Sequence, residues 1–274
     1  MIEADASPEQ ILNRLGITQP DELDIEAIAY ACGATILPQP LTGCEANIMG
    51  FGDRAIITVN SNSIPTRRRF SAGHELGHWM KDRGKSAFGC LNIQIDSEWT
   101  SNNPETRANR FASDLLLPVS MFVPFAKGRP MTVETVRDLA GMFRMSRTAT
   151  AIRLVNYGSF PAMLLYFVKG QRKWFMRSSN DIPSSLWPME HPDPHSLAAG
   201  LLRDRSDTAN GEVRADCWCE RHRSEKYYIR ESCFRTGADS IVVMLWWEDE
   251  RQLIEINEGE EIRASRRSDR REED

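Results

Sequence analysis

Five consecutive residues have the types and spacing for metal chemistry: His74-Glu75-Leu76-Gly77-His78, the pattern H-E-x-x-H. On an α-helix, residues four apart lie about 40° apart around the axis and one turn apart along it. Two imidazoles so placed converge on a single ion at the ~2.0–2.1 Å that zinc takes with nitrogen. Glu75 lies about 60° around from His78, too far to ligate easily but near enough to reach a water on the metal. Two ligands, a neighbouring carboxylate base and an open coordination position are what a zinc hydrolase requires. With five histidines the pattern arises by chance in about one such chain in a hundred, so its surroundings matter. Phe70, His74, Gly77 and His78 form one stripe, so the histidines continue an apolar face. Gly77 leaves room for a second segment to approach, and Thr66 and Gly84 are the expected N-cap and C-terminal stop.

A third protein ligand must come from elsewhere. After His78 the chain reads Trp-Met-Lys-Asp-Arg-Gly and no histidine recurs before His191, so an H-x-x-G-x-x-H continuation is absent. The spacing predicts a second helix over 103–117, with Asn103 as cap, Pro104 at its first position and Pro118 ending it. Glu105, Ala108, Asn109, Ala112 and Leu116 share one face, and the alanines permit close approach to the first helix. Asp114 is about 180° round from Glu105, so the two cannot serve one ion from a regular helix. Glu105 is chosen as the third ligand over Asp114, Asp96, Glu98 and Asp82. Asn109, one turn on, is expected to hold the Glu105 carboxylate in place.

The segments R-R-R-F-S-A-G-H-E-L-G-H and E-T-R-A-N-R-F-A-S-D-L-L-L-P resemble the motifs of the ImmA/IrrE metallopeptidases, bacterial and phage gluzincin-type enzymes. The resemblance covers residues 20–125 well and extends more loosely to 157. Gly73, where many members carry alanine, and Asp114, where glutamate is usual, are its departures. It implies a zinc endopeptidase whose substrate is an XRE-type helix-turn-helix repressor, cleaved to switch on stress-response or mobile-element genes. It also implies that a GAF-like sensor domain can follow the peptidase.

Composition sets the frame. A chain of 274 residues with 41% hydrophobic and 27% charged residues buries one or more ordinary globular cores. No apolar run approaches the ~20 residues of a membrane span, and the N-terminus lacks the basic and apolar regions of a secretory leader. Six scattered cysteines do not make a disulfide framework. The expectation is a cytoplasmic protein without membrane contact. A net charge of −5 argues against a protein that chiefly coats nucleic acid. The sequence does not determine an oligomeric state.

Along the chain, helices are expected at 8–16 and 24–32, the latter capped by Asp24, and strands at 34–38 and 55–60. Two or three short antiparallel strands ahead of the zinc helix would offer an edge for an extended peptide. Cys44, in the loop before them, is either an ordinary loop cysteine or an inhibitory ligand for the open zinc position. Residues 132–157 read as two helices capped by Thr132 and Ser146, a helix-turn-helix pattern. Six basic against two acidic residues between Lys127 and Arg153 raise DNA as a lesser candidate partner, although the second helix carries few base-reading side chains.

Strands are expected at 163–169, 173–177, 226–229 and 240–248, with a short helix near 196–203. Cys217, Cys219, His222 and Cys233 invite a second metal site. The alternation Val213, Ala215, Cys217, Cys219 instead reads as the inner face of a strand holding structural thiols.

The overall expectation is an α+β chain. A zincin-like domain (1–126) leads to a helix-turn-helix-like unit (127–158), a smaller α+β domain (159–262) that the family resemblance implies is GAF-like, and a disordered charged tail (263–274). The competing functional reading is a non-catalytic zinc-containing regulator or interaction module.

Overall fold

The computed structural model describes residues 2–82, 103–178, 182, 186–204, 206–219 and 224–255. Gly84, Asp96, Glu98, His222 and the tail 263–274 lie outside them. The chain is α+β, with two sheets and eight helices among the described residues. It divides into two compact units, Met1–Phe125 with Leu139–Ala149, and Ala126–Asp138 with Thr150–Asp274.

In the first unit, α1 (Pro8–Leu15) opens with a capping box: Ser7 Oγ accepts from Gln10 N–H while the Gln10 side chain accepts from Ser7 N–H. The Asp24 carboxylate caps α2 (Ile25–Ala31), as its position suggests. The strands β1 (Ala34–Gln39), β2 (Ala46–Phe51) and β3 (Arg54–Asn60) form a sheet in the order β1-β3-β2. The sheet is mixed, not antiparallel throughout. β3 pairs antiparallel with β2 but parallel with β1, because α2 and β1 precede the β2–β3 hairpin and the chain enters the sheet on the far side of β3. Ala55, Ile57 and Val59 of β3 are buried in alternation, and this face packs on α3 (Pro65–Asp82). Helix α3 begins one residue before Thr66. Pro65 supplies the first helical φ, and the Ile64 carbonyl accepts from the N–H groups of Arg67 and Arg68, so Thr66 sits inside the first turn and is not the cap.

Helix α4 (Pro104–Leu116) is capped by the Asn103 side chain on Glu105 N–H, as its sequence requires. It buries Ala108, Phe111, Ala112, Leu115 and Leu116. A short helix α5 (Val119–Ala126) follows, and its Phe122 packs on Phe143 with ring centroids 5.7 Å apart.

The helix pair is α6 (Val133–Phe143) and α7 (Arg147–Tyr157), capped by Thr132 and Ser146 as expected. Arg144 turns the corner at φ 54° and donates to the carbonyls of Asp21 and Leu23. Arg69 of α3 donates to the same Leu23 carbonyl at 2.6 Å, and burial, then neighbouring Arg144, lowers its pKa to about 10. Three of the six basic residues in this region are thereby used within the fold. Arg144 holds carbonyls, Arg129 pairs with Asp138 at 2.6 Å, and buried Arg153 lies over the Tyr157 ring.

The second unit is built on a five-stranded antiparallel sheet ordered β5-β4-β8-β7-β6. Its strands are β4 (Ala162–Val168), β5 (Gln171–Arg177), β6 (Thr208–Arg214), β7 (Tyr228–Gly237) and β8 (Ser240–Trp246), and α8 (Leu197–Asp204) packs on β6 and β7. Ile241 to Trp246 are all buried, which explains why β8 reads as an unbroken apolar run: it is interior and covered on both faces. The expected strand through Cys217 and Cys219 is corrected. β6 ends at Arg214, Ala215–Cys217 is a 3₁₀ turn, and Cys219 forms an isolated bridge with Pro188. Cys217, Cys219 and Cys233 are buried thiols, and burial pushes the pKa of Cys217 up to about 11 and raises that of Cys233.

Glu231 is buried at the start of α8. It accepts from the N–H groups of Leu197 and Ala198 and from the Trp218 indole. Burial raises its pKa above the ordinary 4.5 despite these donors. A carboxyl raised on folding contributes stability that is full below its unfolded value and is lost as pH rises through the folded one. We therefore expect the wild type to lose stability as pH increases above 4.5 through that raised value, and Glu231→Gln to flatten the slope. Thermal melts across this range check it, and parallel curves for the two proteins would refute it.

Candidate metal centre

Helices α3 and α4 meet at two glycines, and that contact sets the site. A Cβ on Gly77 would stand 3.0 Å from Ala108 Cα and 3.1 Å from its carbonyl oxygen. A Cβ on Gly73 would meet Leu116 Cδ1, the end of a flexible side chain, at 3.2 Å and Ala112 Cβ at 3.3 Å, both looser than the backbone contacts at Gly77. Helical spacing therefore puts the histidines of α3 within reach of the first turn of α4. Gly77→Ala is expected to destabilise the protein by about 1–3 kcal/mol, since a backbone must move, and to weaken metal binding by displacing α4. Gly73→Ala should cost less. Denaturant melts and zinc titration of the two variants check the order, which equal effects would contradict.

At this junction His74 Nε2 lies 3.1 Å from His78 Nε2 and 3.1 Å from Glu105 Oε2, and His78 Nε2 lies 3.4 Å from Glu105 Oε1. Tetrahedral ligands at zinc's ~2.0–2.1 Å bond lengths are spaced by ~3.4 Å. All three edges fit that figure to within a few tenths of an ångström. Among the described residues these three alone form a His/Cys/Asp/Glu group close enough to share an ion. Both histidines are buried, whereas the Glu105 side chain is 48% exposed, so the group opens to solvent on the side of α4. Glu75 is buried beside the two ligands on α3. The donor set, two imidazoles and one carboxylate around a fourth position, suits a divalent metal of zinc's type.

Asn109 serves a different atom from the one expected. Its Oδ1 lies 2.9 Å from His74 Nδ1. An amide oxygen only accepts, so this contact assigns the proton of His74 to Nδ1 and turns the Nε2 lone pair toward the centre. Losing such an outer partner weakens metal binding by about 10–100-fold. Asn109→Ala is expected to fall in that range in a chelator competition, and unchanged affinity would remove Asn109 from the site. Asp114 pairs with Arg110 at 3.7 Å on the flank of α4 and does not belong to the group, and the Asp82 side chain lies outside the described residues. Cys44 is half-buried and also stands outside it, so the inhibitory-ligand reading finds no support in the geometry.

Residues 33–155 match the family model described as Peptidase_M78, the IrrE N-terminal-like domain. That segment is a domain of the ImmA/IrrE metallopeptidase family. The match spans β1 to α7, so it includes every residue of the metal group as well as the helix pair. No curated protein matches the chain. Among solved structures, a Mycobacterium tuberculosis transcriptional regulator is similar with a TM-score of 0.55. The two are 13% identical, and the likeness covers 87% of this chain and 74% of that one. At that identity the likeness is one of fold. The matched segment contains His74, His78 and Glu105, the group that could hold a metal, and the chain continues beyond it into the five-stranded sheet.

Proposed function

We propose that the IrrE-like domain is a zinc-dependent endopeptidase of the cytoplasm. Its substrate would be an XRE-type helix-turn-helix repressor, and cleavage would derepress stress-response or mobile-element genes. The observation that carries the reading is the triangle of His74, His78 and Glu105 ligand atoms at 3.1–3.4 Å, with the buried Glu75 carboxylate on the adjoining helical face. A purely structural zinc would fill its fourth position with a protein ligand and would have no use for that acid.

Zinc held by these three residues would polarise the scissile carbonyl and acidify a water to a pKa of about 7. Glu75 would act as the proton carrier, holding the proton given up by an attacking water and delivering it to the leaving amine nitrogen. His74 is held in the ligating tautomer by Asn109, so the site need not reorganise before the substrate arrives. Among the described residues β2 pairs with β3 alone, leaving an edge to which an extended peptide can add as a strand. Met49 and Phe51 on β2 are 55% and 56% exposed, which suits apolar side chains of such a peptide.

The second reading, a regulator that does not turn over peptide, draws on the transcriptional regulator of similar fold and the basic residues between 127 and 153. The internal use of Arg129, Arg144 and Arg153 and the burial of Thr150, Ala151, Leu154 and Val155 in α7 weigh against a DNA-reading helix. Among the described residues no helix is long and apolar enough to cross a membrane, which accords with a soluble substrate. The test is the half-life of a co-expressed XRE-type repressor. It should shorten with the wild type and recover with Glu75→Gln, and equal half-lives would sink the peptidase reading.

A further inference from the structure

In the second unit, the sheet face opposite α8 carries a cavity of about 330 Å³, a volume at the small end of ligand sites. Its lining includes Thr132, Asn210, Arg230, Ser232, Trp246 and Glu248. Strand register explains why these residues meet. Arg230 of β7 stands opposite Trp246 of β8, and Ser232, two residues on, stands opposite Asn210 of β6. Ser232 and Trp246 are 1% and 5% exposed, an unusual place for polar groups on a cavity wall.

The charges define the ligand further. The Arg230 guanidinium is held between Glu248 at 3.1 Å and Glu212 at 3.6 Å. A simple anion drawn to Arg230 would meet both carboxylates, and a simple cation drawn to the carboxylates would meet Arg230. A molecule carrying both signs a few bonds apart can replace these ion pairs with its own and leave every charge matched. We propose that this cavity binds a zwitterion of the α-amino-acid class, its carboxylate toward Arg230 and Ser232, its ammonium toward Glu248. Asn210 ties the site to α6, since its Oδ1 accepts from Val133 N–H and its Nδ2 donates to Glu134. Occupancy would then bear on the first turn of that helix. The inference concerns the second unit and does not depend on peptidase activity.

The test uses the full chain and thermal shift with each of the twenty protein amino acids, followed by the amide and N-acetyl derivatives of the one that shifts most. At least one free amino acid is expected to raise the transition. Its amide, lacking the carboxylate, and its N-acetyl form, lacking the ammonium, should bind at least ten-fold more weakly. Arg230→Gln, a change at a half-exposed position that spares the core, should abolish the shift, and Ser232→Ala should reduce it. Absence of a shift with all twenty overturns the proposal, as does equal binding of the amide or an unchanged shift in Arg230→Gln.

Discussion

Glu75→Gln is expected to slow peptide cleavage by about 10²–10⁴-fold while leaving the fold and the metal content as they are. The side chain is fully buried between α3 and its neighbours, and glutamine has the same shape, so packing is kept. What is lost is the ability to take a proton from water and return it to the amine. Neither histidine can substitute, because each presents Nε2 to the shared centre with Glu105. Turnover measured beside circular dichroism and metal analysis separates loss of chemistry from loss of structure. A variant as active as the wild type would show that Glu75 moves no proton.

The second large effect is on the metal itself. Glu105→Ala leaves two imidazoles and removes the only carboxylate of the group. Removing an outer partner costs about 10–100-fold in affinity, so loss of a direct ligand should exceed that. The fold should survive, since Glu105 is half exposed in the first turn of α4 and the helix is anchored by Ala108, Phe111 and Ala112 further along. Competition with a chelator gives the number directly. Asp114→Ala is the matched control, an exposed i,i+4 pair whose loss should be worth little. If Asp114→Ala lost the metal and Glu105→Ala kept it, the ligand assignment would be reversed.

That His74, His78 and Glu105 come together was legible in the sequence because it rests on local geometry. Spacing along two helices decides which side chains share a face, and small residues decide how closely those helices approach. Gly77 against Ala108 is that rule seen in three dimensions. The role of Asn109 was half legible: its face followed from its spacing, but its choice of His74 over the carboxylate depends on how α4 slides along α3.

Elements without a strong pattern were missed. β2 (Ala-Asn-Ile-Met-Gly-Phe) carries a glycine and exposes its last three residues. β6 (Thr-Ala-Asn-Gly-Glu-Val-Arg) is a polar edge strand with one clearly buried side chain, Val213. β2 is held by β3 through a tight hairpin and β6 by β7 across a longer connection, pairings that hydrophobic periodicity within either strand does not report. In α5, Pro118 and Pro124 hid a short helix that tolerates them because one precedes it and the other lies near its end. Ala215-Asp216-Cys217 alternates like a strand yet turns, since Ala215 N–H and the 3₁₀ turn close against Tyr227 and Trp218.

The most direct test of the account is metal stoichiometry by mass spectrometry on the full chain, as purified and after incubation with zinc. The account predicts about one zinc per chain, bound by His74, His78 and Glu105 and retained in Glu75→Gln. A chain that holds no zinc before or after incubation would contradict it, because the triangle of ligand atoms would then be a hydrogen-bonded cluster and not a metal site.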